Sequence, residues 1–151
     1  MLSWSRFAAL EPALAAYGEA RFNRARVAFI ATVAADGSPR VNPVHPVVCE
    51  GRLLLFIEPG SPKLDDLACN GLYALHSMVD NPTGVGGEFS VKGKATCIDD
   101  PAVRAQAIAA ACHTPGDDCA LFELFVDAAL ARDYDDGRWA ERRWDLAPAV
   151  V

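Results

Sequence analysis

The feature that most constrains this chain is a succession of short, largely apolar runs separated by glycine turns. Residues 27–35, 39–49 and 53–57 are cut by Asp36-Gly37 and Glu50-Gly51. Such pairs close tight hairpins, because Gly takes positive φ without steric cost, so the three runs read as an antiparallel meander. Glu88–Ile98 then shows the clearest two-residue alternation, with Phe89, Val91, Gly93, Ala95 and Cys97 on one face and Glu88, Ser90, Lys92, Lys94 and Thr96 on the other. A strand of that kind lays one face on a core and keeps the other polar. Residues 73–79 are also extended in character, and residues 120–128 and 138–146, flanking Asp135-Asp136-Gly137, predict two closing strands.

Helical spacing occurs over residues 12–23, where Leu14, Tyr17 and the Arg21/Phe22 pair recur and Pro12 suits a first turn. Trp4, Phe7 and Leu10 predict a separate turn before it, since proline disfavours helix at the residue it follows. Together they make a helical N-terminal segment over residues 4–24. Ser61-Pro62 opens a short helix that Asn70-Gly71 ends, and Asp100-Pro101 opens an Ala-rich helix running to about Cys112. The count is about seven strands and three helices, joined mostly by short hairpins. A mainly β, six- to seven-stranded antiparallel barrel with peripheral helices follows, because closure removes exposed sheet edges. At 151 residues one domain over the whole chain is expected.

Composition narrows the function. The chain is 52% hydrophobic and 23% charged, with no biased stretch long enough to suggest disorder. The longest apolar run is far shorter than the roughly 18 residues of a membrane helix, and the N-terminus lacks a signal-peptide layout. A cytoplasmic protein without a membrane partner is expected. With 14 Lys and Arg against 20 Asp and Glu the formal charge is −6, and no basic run suggests nucleic acid. Five cysteines without a Cys-x-x-Cys pair favour neither disulfides nor zinc, so buried, reduced thiols are expected. His45, His76 and His113 are scattered, and no neighbouring carboxylate spacing completes a metal set.

Against that negative field each local cation carries information. At Ser61-Pro62-Lys63 the free amides and positive dipole of a helix start favour an anion, and Lys63 adds a full charge; a plain helix cap would use the same residues. Pro39-Arg40-Val41-Asn42-Pro43-Val44-His45 places two prolines in a strand, which implies an edge or irregular segment, and Arg40 can fork onto phosphate. A proline-guarded edge strand reads the same way. Lys92 and Lys94 offer a second anion contact or a solvated face. Cys112 and His113 are set aside as a nucleophile–base pair because adjacent residues rarely face each other. Trp139 and Trp144 fall on opposite strand faces, so they form no common stacking platform.

The order VAFIATVAADGSPRVNPV, GRLLLFIEPGSPKLDDLACN, LYALH, GEFSVKGKATCIDD resembles the pyridoxamine 5'-phosphate oxidase-like family, the flavin mononucleotide (FMN)-binding split β-barrels, over about residues 26–100. The resemblance implies FMN contacts at Arg40, Val41, Asn42, Pro43, Val44, Ile57 (or Phe56), Ser61, Pro62 and Lys63. It also implies a homodimer with cofactor sites across the interface. His45, His76 and Trp144 are the candidates for contact with a small-molecule substrate, and no acid or base is singled out. Glu88 stands near a position where the vitamin B6 oxidases have Gln, and WAERRWDLAP only echoes their closing motif, so B6 chemistry is not implied. The function expected is that of an FMN-dependent oxidoreductase. The alternatives are a deazaflavin-dependent reductase using Lys92 or Lys94, and a non-catalytic flavin or haem binder with His45, His76 or His113 as axial ligand.

Overall fold

A computed structural model describes residues 1–135 and 137–146. Helices α1 (Trp4–Leu10) and α2 (Pro12–Ala25) precede strands β1 (Ala28–Val33), β2 (Pro39–Val44), β3 (Val47–Cys49) and β4 (Arg52–Ile57). Helix α3 (Pro62–Cys69), β5 (Leu72–Ser77), β6 (Glu88–Ile98), α4 (Pro101–Ala110), β7 (Ala120–Asp135) and β8 (Arg138–Asp145) follow. Asp136 of the expected turn, and Ala147-Pro148 at the end of the closing echo, lie outside the described residues.

All strand pairings are antiparallel, in the order β2-β1-β5-β6-β7-β4-β3, with β8 also on β7. The path does not close, because β2 and β3 end it, and the result is a split barrel. There are eight strands and four helices among the described residues, more than the sequence reading counted. One reason is His45-Pro46, which interrupts the expected 39–49 run and makes β2 and β3 separate strands. Another is α1, which is a helix in its own right, capped by the Ser3 hydroxyl. β7 runs seven residues past its expected end, through alanines of low strand propensity, because β6 and β8 hold it from both sides.

β6 alternates as expected as far as Ala95, but Cys97 is exposed where the strand leaves the core. The expectation of buried thiols fails more widely: Cys69, Cys97 and Cys112 are exposed, Cys49 is half-buried and only Cys119 is buried. At Gly93, beside a register shift in the β6–β7 ladder, a side chain would collide with the Phe125 carbonyl, so glycine is required by close backbone approach. The core lies between the inner sheet face and helices α1 and α2, and Trp4, Phe7, Phe22 and Phe89 form edge-on or tilted aromatic pairs there. No helix among the described residues is long and apolar enough to cross a membrane.

Candidate functional site

The β1–β2 hairpin and α3 build the corner that carries the predicted cations. In the turn, Asp36 accepts bonds from the Ser38 hydroxyl at 2.6 Å and the Ser38 amide at 2.9 Å, and those bonds hold its carboxyl below the usual carboxylate range. β2 leaves that turn as an edge strand, with Pro39 and Pro43 at positions where no ladder donor is needed. Arg40 lies opposite Thr32 in the β1–β2 register, and both side chains meet Asp66 of α3. The Thr32 hydroxyl donates to Asp66 Oδ2 at 2.7 Å, and Arg40 Nε lies 3.1 Å from the same oxygen. Asp66 and Thr32 are buried, whereas Arg40 is exposed and its terminal nitrogens have no hydrogen-bond partner among the described residues.

One turn earlier on α3, Ser61 occupies the N-cap position with extended backbone but makes no side-chain cap bond. Its hydroxyl instead accepts a bond from Lys63 Nζ at 2.8 Å. Ser61 thus stands at the helix start as expected, with its hydroxyl bonded to the Lys63 ammonium rather than to a helix amide. Lys63 and Asp66, three residues apart, lie on neighbouring positions of one helix face. The same helix carries Lys63 and, through Asp66, anchors Arg40.

The five β2 residues do not form one surface. Strand alternation sends Arg40, Asn42 and Val44 to one side and Val41 and Pro43 to the other. Val44 is buried in the core and Val41 is 67% exposed on the outer face, so neither side chain joins Arg40. Ile57 is completely buried, which removes its side chain from any ligand surface; Phe56 is half-buried, with the Arg104 guanidinium over its ring.

The substrate candidates scatter. Trp144 packs against Phe7 with ring centroids 5.2 Å apart, on the face opposite exposed Trp139, as strand parity required. His76 lies on β5, where its Nδ1 donates to the Ser77 carbonyl and its Nε2 is 3.7 Å from Glu88. Arg132 also meets Glu88 at 3.3 Å, so that carboxylate is neutralised within the sheet. His45 follows β2, away from Arg40 along the strand, and its Nδ1 donates to the Arg26 carbonyl at 2.8 Å. Lys92 lines a hollow on the outer sheet face together with Ser90, Arg143 and Asp145, apart from Arg40 and Lys63. Sequence reasoning missed Asp66 and Thr32; a helical acid two residues before Ala68 reads simply as solvated polarity.

The chain belongs to the pyridoxamine 5'-phosphate oxidase family, whose profile matches residues 16–134. No curated protein matches it. Among solved structures it is similar to a haem-binding protein from Mycobacterium smegmatis, with TM-score 0.63 and 19% identity over 84% of this chain. The chain spans 57% of that protein's length. It is also similar to HutZ, a haem storage protein from Vibrio cholerae, with TM-score 0.58, 17% identity, and 72% and 86% of the two chains covered. A pyridoxinephosphate oxidase-family protein from Clostridium acetobutylicum gives TM-score 0.61 at 12% identity, covering 83% and 90%. Likenesses at these identities establish the split-barrel fold.

Proposed function

We propose that this protein binds FMN at the corner between β2 and α3 and acts as an FMN-dependent oxidoreductase on a small-molecule substrate. The observation that carries the reading is the environment of Lys63. Its side chain is only 12% exposed, yet the nearest described carboxylate, on exposed Glu58, is 3.9 Å away. A largely desolvated ammonium whose partners are a hydroxyl and one exposed carboxylate at the edge of ion-pair range favours a bound anion.

A flavin phosphate fits that need. Lys63 and Ser61 would hold it, the Lys63 amide behind Pro62 would add a donor, and the unengaged end of Arg40 would reach it from β2. When bound, the flavin ring supplies hydride or single-electron transfer, while the chain sets its orientation and access. Asp66 keeps Arg40 in place, and Thr32 keeps Asp66 in place.

A second copy of the chain is proposed to cover the outer face of β2, β1 and β5, where Val41, Phe29 and Leu72 are 67%, 40% and 43% exposed. Membership of the family supports the homodimer, and the partner would complete each cofactor site. A second reading, haem carriage without turnover, is favoured by the haem-binding proteins among the similar structures. A deazaflavin coenzyme would instead use Lys92.

Mass spectrometry and absorption of the chromophore released from purified protein distinguish these readings. FMN is expected; a Soret band identifies haem. Lys63→Ala should weaken FMN by about 10- to 150-fold, the loss of one charge-assisted contact of roughly 1.5–3 kcal/mol. Unchanged affinity in that variant, with the fold intact, would remove Lys63 from the site.

A further inference from the structure

His45, Cys112 and His113 are far apart in sequence, and the spacing of residues gave no reason to group them. The fold brings them together where the segment after β2 passes the end of α4. One ligand atom from each lies within 4.8 Å of the others, and all three residues are exposed. Cys112 Sγ lies 3.5 Å from His113 Nδ1 and 3.9 Å from His45 Nδ1. The two imidazoles meet edge to face with centroids 4.7 Å apart.

We propose that these three side chains form a site for a zinc-class divalent transition metal. One thiolate and two imidazoles are the donor set that borderline-soft metals of tetrahedral preference select. Around such an ion, sulfur and nitrogen ligands sit roughly 3.5 Å apart, so the Cys112–His113 separation already suits coordination. The 3.9 Å separation from the thiol belongs to His45 Nδ1, so the His45 ring must swing to bring Nε2 to the ion. The Arg26 carbonyl can only accept, which fixes a proton on His45 Nδ1 and leaves the Nε2 lone pair for the ion. An imidazole oriented by a backbone carbonyl through its second nitrogen is the usual support of a metal-bound histidine.

Three protein ligands and an exposed position leave the fourth place to water or an added ligand. The site is distinct from the β2–α3 corner: His45 and Arg40 are five residues apart on an extended segment, roughly 16 Å at strand rise. An ion here would tie the segment after β2 to the loop after α4.

The test uses reduced protein freed of any affinity tag, titrated with Co²⁺ alone. The expected result is one equivalent bound, with a thiolate-to-cobalt charge-transfer band and the intense visible bands of a tetrahedral ion. Zn²⁺ should abolish those bands by displacement. Cys112→Ser should remove the charge-transfer band, and His45→Ala should weaken binding by roughly tenfold or more. Both substitutions are at exposed residues, and melting curves of the metal-free variants check that the fold survives. The proposal is overturned if stoichiometric Co²⁺ gives no charge-transfer band, or if the band persists in Cys112→Ser because exposed Cys69 or Cys97 carries it.

Discussion

Removing the Asp66 carboxylate tests how the β2–α3 corner is held. In Asp66→Ala the Thr32 hydroxyl, 1% exposed, loses its acceptor, and a buried donor left without a partner costs about 1–3 kcal/mol. Arg40 adds less, because its side chain is 44% exposed and solvent screens the pair; about 0–1 kcal/mol is the appropriate range. The total expected is about 1–4 kcal/mol. In a domain of this length that lowers the melting temperature by about 2–4 °C per kcal/mol. Asp66→Asn retains an acceptor for Thr32 and should lose about 1 kcal/mol or less. Urea unfolding of Thr32→Val, Asp66→Ala and the double variant supplies the decisive comparison. The double variant should fall short of the sum of the singles by about 1 kcal/mol or more, since each single change strands the other group. Additivity within about 0.5 kcal/mol would refute the claim that these two buried groups act as one unit.

Two further predictions concern the sheet. Tyr73 is buried and donates to the Phe125 carbonyl at 3.0 Å; burial, then the nearby Asp127 charge, push its hydroxyl well above the ordinary value of 10.0. The unfolded chain ionises this phenol first, so its contribution to stability is complete below pH 10 and is lost as pH rises further. Tyr73→Phe should cost about 1 kcal/mol at neutral pH and flatten the alkaline fall in stability, and an unchanged alkaline slope would refute that origin. Val41→Asp, 67% exposed on the edge strand of the outer face, should convert a dimer to a monomer in sedimentation velocity without changing the circular dichroism. A monomeric wild type, or a variant that stays dimeric, would exclude this face as the interface.

Much of the fold was legible because local signals agreed with the tertiary structure. The alternation in β6 coincides with a strand covered on one face. Asp100 caps α4 as its position before Pro101 suggested, accepting from the amides of Ala102 and Val103. The candidate corner was half legible. Arg40 and Lys63 could be picked out as cations beside proline-marked irregularities, but nothing local says that a helical aspartate would reach across to the first hairpin. The same limit hid the encounter of His45 with Cys112 and His113, which register and loop path create and sequence distance conceals. Neighbouring side chains were expected to diverge, yet the bend after α4 turns Cys112 and His113 toward each other. The buried Arg21 is another example: its guanidinium donates to the Met78 and Gly86 carbonyls and pairs with Asp80, tying down a loop that composition alone marks as irregular.

The length of β7 bears on how the molecule assembles. One side of this 16-residue strand lies along β6, and the other is shared between β4 and β8, with Leu2 bridging to Val126. During synthesis, β4 and β6 therefore have no mate on these edges until residues 120–135 emerge from the ribosome. Up to that moment the nascent chain would present two ragged, sticky margins, the kind of intermediate that holding chaperones shelter. Only β8 then remains to be added, against the edge that β7 itself brings.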